Sequence, residues 1–327
     1  MSIALEYTGS SNSYRLPRAC PVCSASGPFD SPFAAEPYHL FRCPGCGLVF
    51  IHPLPDGEEL DGLYDESYYG KGRRKFSGVL EALIAALTFL KWKRLRPFLG
   101  PGGRLLDIGC GRGTLVGLAR AAGFEAYGLE RHFPGAPFSP NIFYHDLTEC
   151  KFPERHFQGV VLWHVLEHLP SPVTTLQEIH RLLEPGGWLS VAVPNFGGAQ
   201  ARASGKDWFH LDLPRHFWQY ELPVLEKTLE GVGFTISRRS TLSLEYDWFG
   251  TLQSWMNRVA KNQNRFYSLL KGRPGGTAGA QAAQLSLAIA LALPALASAL
   301  WDAVRGQGGT LTLLAQKPSN KPATAGP

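Results

Sequence analysis

Strong charge imbalance is missing from this 327-residue chain: 32 Lys and Arg stand against 27 Asp and Glu, a formal net charge of +5. A nucleic-acid clamp needs cations clustered on one face, and so mild an excess does not argue for one. Charged residues are sparse at 18%, whereas hydrophobic residues reach 44% and aromatic residues 12%. That is the opposite of a disordered chain. The opening MSIALEYTGSSNSYRLPR has no basic-then-apolar-then-small order, so no secretory signal is expected. The 36 glycines and 25 prolines fall at turns without a fixed period, which excludes a collagen-like rod. No internal repeat is visible. The length suits about two domains at roughly 150 residues each.

Cysteine is scarce but organised. Four of the six form two CxxC pairs, Cys20 with Cys23 and Cys43 with Cys46, while Cys110 and Cys150 stand alone. In a thiol-reducing cytosol such pairs favour metal over disulfides. Each pair can sit on a tight turn that aims two thiolates at one tetrahedral ion, and Gly47 suits the left-handed residue of such a knuckle. Four thiolates would fill the shell of Zn²⁺, so the site would be structural. A segment of about 40 residues has too little core to fold alone, and metal binding would supply much of its stability. The alternative is two unrelated buried or redox pairs. The stretch between the pairs has one Arg and no Lys, which gives no support to nucleic-acid docking.

The organisation expected along the chain is a leader (1–18), a zinc-ribbon-like segment (19–56), a helical linker or lid (57–99), a core of alternating strands and helices (100–240), a helical insertion (241–308), a last core strand (309–317) and a disordered tail (318–327). Short apolar runs alternating with helical patterns are the mark of βαβ units and a parallel sheet.

Within the core, RLLDIGCGRG (104–113) reads as a buried strand followed by Asp107-x-Gly109-x-Gly111-x-Gly113, and TLVGLARAAG continues as a helix. Strand, glycine loop and helix N-terminus form a cradle that a ligand can approach closely. A dinucleotide enzyme would carry GxGxxG here. An acidic strand end would repel a pyrophosphate but suits a ligand with a cationic amino-acid tail. Glu130, one helix and one strand later, can accept two hydrogen bonds from a ribose diol.

These residues, with HDLTE (145–149), VVLWHVLEHLPSP (160–172) and LLEPGGWLSVAVPN (182–195), resemble class I S-adenosylmethionine-dependent methyltransferases over roughly 100–240 plus the last strand. The CPVC, CPGCGLVFIHPLP and LYDESYYG stretches are similar to a zinc-ribbon leader found ahead of some of these domains. The resemblance implies an α/β, Rossmann-like seven-stranded sheet in the order 3-2-1-4-5-7-6, with the last strand antiparallel. It implies S-adenosyl-L-methionine as cofactor: Gly109, Cys110, Gly111 and Gly113 around its methionine part, Asp107 near the amino group, Glu130 on the ribose, Asp146 and Leu147 at the adenine, and Trp163 and His164 beside the transferred methyl. Arg112 receives no role. Ubiquinone-pathway O-methyltransferases carry an acidic residue where His164 stands, and some hold a metal with that acid and the residues matching Glu167 and His168. The replacement argues against a catalytic metal here.

Methyl transfer from a sulfonium is an in-line displacement on an already activated carbon, so a protein contributes alignment, water exclusion and sometimes a base. His164 and His216 are the base candidates. Arg215 could read a phosphate or carboxylate, or pair with Asp212 at the surface. Asn195 and Phe196 are candidate acceptor-pocket walls.

From Pro274 to Trp301 no residue is charged, and LSLAIALALPALASALW runs apolar for about 17 residues, short of the roughly 20 a spanning helix needs. Pro294 should kink it. A full crossing would also keep GTLTLLAQ from returning to the sheet. The segment 244–273, rich in Trp, Phe and basic residues, has an interfacial composition, and KWKRLR after the helix at 79–90 could meet anionic lipid. Membrane contact through 275–304 and a buried lid or homodimer face both remain open. The expected activity is methyl transfer to an oxygen, ahead of carbon or nitrogen, of a small or lipid-linked acceptor such as a sugar or quinone-like metabolite. The expected setting is cytoplasmic, or the cytoplasmic membrane face. The alternatives are a non-catalytic S-adenosylmethionine-binding protein and, disfavoured by the loop, a nicotinamide oxidoreductase.

Overall fold

The fold is described from a computed structural model, for residues 17–35, 38–55, 59, 62–63, 78–131, 140–259, 263–273 and 275–319. The leader up to residue 16, most of 56–77 and the tail from 320 lie outside the described residues.

Apolar strands with helical crossovers build a parallel sheet because both of its faces are covered. The strands are β4 (Arg104–Ile108), β5 (Glu125–Leu129), β6 (Ile142–Phe143), β7 (Phe157–Trp163), β8 (Leu183–Pro194), β10 (Thr235–Ser240) and β11 (Thr310–Gln316), arranged β10-β11-β8-β7-β4-β5-β6. Numbered within the domain, the order is 3-2-1-4-5-7-6, as the resemblance implies. The pairs from β8 through β6 are parallel, and β11 is antiparallel to both neighbours. Strand alternation divides the core. Leu106, Ile108, Val160 and Leu162 join one buried cluster, and Leu105 and Val161 another. Helix α1 (Gly78–Leu95) sends Trp92 and Leu95 into the second cluster, and α2 (Thr114–Ala121) adds Leu115, Val116 and Ala119. The helices α3 (Pro172–Leu182) and α5 (Leu222–Val232) cover the other face through Leu176, Ile179, Leu225 and Leu229.

The N-terminal strands β1 (Ala34–Ala35), β2 (Tyr38–Arg42) and β3 (Val49–His52) form a second sheet with β9 (Trp218–Gln219), far along the chain. Leu40, Val49, Phe50 and Ile51 are buried in the same cluster as the main sheet. The cysteine-bearing segment is therefore packed into the core domain, with β3 pairing Phe50 to Trp218.

After the short helix α4 (Ala199–Ser204), residues 241–308 contain α6 (Leu244–Val259), α7 (Arg265–Leu270) and α8 (Ala278–Val304). They enclose a third cluster of Leu252, Met256, Phe266, Ala288 and Ala295. Helix α8 continues through Pro294, and Trp248 donates to Ala292 O at 2.8 Å. Its other side exposes Leu285, Ile289, Leu293, Leu300, Trp301 and Val304, Ile289 to 71%. Among the described residues α8 is the one helix long and apolar enough to cross a membrane by length and composition.

Candidate active site

Strand β4 lies between β5 and β7, where the order of connections reverses, and the crevice at its carboxyl end is the place where this kind of sheet binds ligands. The glycine loop leaves β4 there and is tied to β5: Gly109 N and Cys110 N donate to Leu129 O at 2.7 and 3.1 Å. Gly109 has φ +71°, and a Cβ on it would fall 2.2 Å from the Val165 side chain. Gly111, at φ +55°, has open space where its Cβ would be, so its backbone faces the crevice. Gly113 is the N-cap of α2. Glu130 Oε2 accepts from Gly111 N at 2.6 Å, and Oε1 from Arg131 N at 3.0 Å. Its carboxylate thus stands over the loop at the end of β5. Asp107 is 6% exposed; burial and then the Glu130 charge push its pKa up to about 8. A cationic ligand group would relieve both effects, which fits the amino-acid tail of S-adenosylmethionine. Arg112 acquires a role: it pairs with Glu81 at 2.6 Å and ties α1 to the loop.

Trp163 ends β7 and His164 follows it. Trp163 Nε1 donates to Ser190 Oγ at 2.9 Å. His164 has φ +55°, a conformation costly for a non-glycine residue and typical of functional positions. Its ring stacks on Tyr246 with centroids 3.7 Å apart. Burial, and then the nearby Lys91 charge, lower its pKa to about 3, so the imidazole is neutral, able to accept a hydrogen bond but weakly basic. Lys91 Nζ pairs with Glu245 Oε1 at 2.6 Å and lies 5.4 Å from the Trp163 ring centre and 5.0 Å from that of Tyr246.

Behind His164, Glu167 is 1% exposed, and neither carboxylate oxygen has a hydrogen-bond partner among the described residues. Burial raises its pKa. His168 Nδ1 meets Arg215 O at 2.9 Å, and His216 Nδ1 meets His210 O at 2.7 Å. A backbone carbonyl only accepts, so both rings carry the proton on Nδ1 and present Nε2 as a lone pair. One ligand atom each from Glu167, His168 and His216 lie within 4.8 Å of one another. The group could hold a divalent cation, with His216 supplying a ligand that His164 does not. Arg215 is paired in bidentate fashion with Asp212. Burial opposes ionisation of Asp212, yet Arg215 and His216 bring its pKa down to about 2.

Asp107, Gly109, Cys110, Gly111, Glu130, Asp146, Leu147, Trp163, His164, Arg215 and His216 all line one cavity of about 2930 Å³. Asn195 and Phe196 are not among its lining residues. Asn195 is buried and donates to Gly308 O at 2.7 Å, and Phe196 packs against Trp208 and Phe33. They anchor the return of β11 and the N-terminal sheet instead. The far wall comes from residues that sequence reasoning did not single out: Lys91 of α1, Glu245, Tyr246, Trp248 and Phe249 of α6, and Tyr267 of α7. The acid-and-aromatic run LEYDWF was the available signal.

The cysteine pairs converge away from this cavity. Cys20 and Cys46 sulfurs lie 3.8 Å apart, and those of Cys23 and Cys43 3.4 Å. Tetrahedral bonds of about 2.3 Å to zinc require nearly this spacing. Backbone N–H groups of Val22, Gly45 and Cys46 point at the sulfurs of Cys20 and Cys43, and Gly47 adopts φ +78°. The four thiols fit a structural zinc ion.

Residues 83–238 match a family model described as a methyltransferase domain. Among curated proteins, the chain is similar to a ubiquinone biosynthesis O-methyltransferase of Paracidovorax citrulli, with 28% identity over 106 residues, 29% of this chain and 44% of that protein. It is also similar to a demethylmenaquinone methyltransferase of Symbiobacterium thermophilum, with 26% identity over 127 residues, 33% of this chain and 50% of that protein. The chain spans about half the length of these curated relatives. A solved 1,6-didemethyltoxoflavin-N1-methyltransferase of Burkholderia thailandensis aligns at 16% identity with a TM-score of 0.48, covering 89% of this chain and 100% of that one.

Proposed function

We propose that this chain, whose residues 83–238 match a methyltransferase domain, transfers a methyl group from S-adenosylmethionine to an oxygen of a small or lipid-linked acceptor. The observation that carries the reading is the opening of the Asp107–Arg112 stretch and Glu130 into the same cavity as His164 and His216; Gly113 is not among its lining residues and packs against Ile142. The cofactor would supply a methyl carbon already activated by its sulfonium. The chain aligns and shields: Glu130 takes the ribose hydroxyls, Asp107 the amino group, and Leu147 the adenine face. His164, neutral and stacked on Tyr246, accepts a hydrogen bond from the acceptor hydroxyl as the first base candidate, with His216 as the second. The four thiols of Cys20, Cys23, Cys43 and Cys46 hold structural zinc.

The exposed row on α8 supports a lipid-linked acceptor, such as a quinone-like or polyprenyl-linked sugar compound, met at the cytoplasmic membrane face. Incubating the full chain with methyl-labelled S-adenosylmethionine and detergent-dispersed lipid extract or water-soluble extract tests both parts. Label entering the lipid fraction is expected. Label confined to soluble acceptors would remove the lipid, and no transfer at all would remove the enzyme. Flotation with liposomes should be lost on Ile289→Glu with Leu293→Glu; a homodimer in place of flotation would assign that row to a subunit contact.

A further inference from the structure

Glu167 sits in the cavity wall 1% exposed, and neither of its oxygens has a hydrogen-bond partner among the described residues. A buried carboxyl group without bonds is costly whether ionised or protonated. Protonation would remove the charge and still leave both oxygens unbonded. Arg215, on the facing loop, is committed to Asp212 in a bidentate pair. What Glu167 meets instead is imidazole: His216 Nε2 lies 4.0 Å from its Oε1. The loop that carries His216 is fixed to the turn after β7 by Phe217 N, which donates to Glu167 O at 2.9 Å. His216 and His168 each direct Nδ1 at a backbone carbonyl, at 2.7 and 2.9 Å. Metal-ligating histidines almost always make such an outer bond. One ligand atom from each of Glu167, His168 and His216 lies within 4.8 Å of the others. Two ligand atoms on a tetrahedral ion stand about 3.4 Å apart at bonds of about 2.1 Å, so a small side-chain rotation closes the set. All three residues line the cavity.

We propose that Glu167, His168 and His216 bind a divalent transition-metal ion whose remaining positions open to the cavity. Two imidazoles and one carboxylate suit zinc and its first-row neighbours, and three protein ligands leave a place for an oxygen of the acceptor. His164 is not one of the three: its Nδ1 lies 3.6 Å from Glu167 Oε1, but its ring is stacked on Tyr246. The histidine at position 164 therefore does not abolish the site, because the loop at 209–216 brings a ligand of its own. The site is separate from the four-cysteine centre, whose shell is filled by thiolates. An acceptor hydroxyl bound to such an ion loses its proton more readily. That role rests on the methyltransferase reading and moves His216 from base candidate to ligand; binding of the ion does not rest on it.

The test is metal content. The full chain is saturated with zinc chloride, freed of excess by gel filtration and assayed for zinc by elemental analysis. Two ions per chain are expected, one of them on the cysteines. Glu167→Gln and His216→Gln should each retain one, and His164→Ala should keep both. Calorimetric titration with zinc should show the second site weakened at least tenfold in Glu167→Gln. An unchanged melting temperature and S-adenosylhomocysteine affinity check that each variant is folded. One ion in the parent chain overturns the site. That is the result expected if a water joins Glu167 to the Tyr220 hydroxyl, which is also buried and unbonded among the described residues. Two ions in every variant place the second elsewhere and overturn the site as well. Loss of an ion in His164→Ala overturns the ligand set. Two ions with no binding of S-adenosylhomocysteine would uphold the site and overturn the methyltransferase reading.

Discussion

The two halves of the cavity are built in different ways. The cofactor half comes from one continuous stretch, β4 to the end of β5, in which strand, glycine loop and helix fix one another through bonds such as Gly111 N to Glu130. The acceptor half is assembled from α1, the turn after β7, the loop at 209–216 and the helices of the insertion. Its loop is held from outside: Ile51 N donates to Phe217 O at 3.1 Å, and Phe217 N donates to Glu167 O at 2.9 Å. The cysteine-bearing segment thus braces the histidines of the acceptor half. A local motif can be kept intact while the acceptor half is remodelled around it.

The largest effect should come from the brace. Cys43→Ala, or zinc removal by a chelator, should loosen β3 and cut methyl transfer at least a hundredfold, because metal affinity is folding energy for so small a segment. S-adenosylhomocysteine affinity should change less than threefold. Equal loss of both, measured by calorimetry beside the transfer assay, would break the separation of the halves.

The glycine loop gives the next contrast. Gly109→Ala meets Val165 and should destabilise the fold by about 1–3 kcal/mol, the usual cost of overpacking, seen as a lower melting temperature. Gly111→Ala meets no atom within 4 Å and pays only for its φ of +55°, about 1 kcal/mol, so it should still fold yet lose at least tenfold in S-adenosylhomocysteine affinity. Loss of affinity without loss of fold would mark Gly111 as a cofactor position.

On the acceptor side, Tyr246→Ala removes the ring stacked on His164 and should lower kcat about tenfold with cofactor affinity unchanged. Tyr246→Phe should retain most activity, since the stack needs the ring. Loss of activity in the phenylalanine variant would assign the hydroxyl a direct part.

The smallest effect is a pH dependence. Asp247 is buried at the start of α6, near Asp302, and burial raises its pKa from 3.8 to about 7. Its native pKa is above the unfolded one, so its contribution is most favourable below about pH 4 and is lost as pH rises towards 7. Asp247→Asn should therefore gain in melting temperature over the parent at pH 8, and the gap should close on acidification to pH 4.5. A gap independent of pH would show that Asp247 is ionised throughout.

How far the site was legible follows the same division. Asp107, the glycines and Glu130 are neighbours in sequence or one βα unit apart, so their spacing reports their geometry. The parallel sheet follows from the alternation of apolar runs with helical patterns, whereas its strand order is implied by the family resemblance of the motifs. Asn195 and Phe196 were placed by their position after β8, but α4 and the return of β11 turn them into the core. Arg112 had no reading until α1 brought Glu81 to it. The meeting of Glu167 with His216 depends on the Leu211–His216 loop folding back on the β7 turn, and no local spacing encodes that. Tyr246 and Lys91 are 155 positions apart in number and join only through packing of the insertion.

The central claim is that the cavity binds S-adenosylmethionine through the Asp107–Glu130 cradle. The most direct test is calorimetric titration of the full chain and Glu130→Ala with S-adenosylhomocysteine, followed by competition with NAD. The expected result is one saturable site per chain, at least tenfold weaker in Glu130→Ala and indifferent to NAD. Binding of NAD with none of S-adenosylhomocysteine would contradict it.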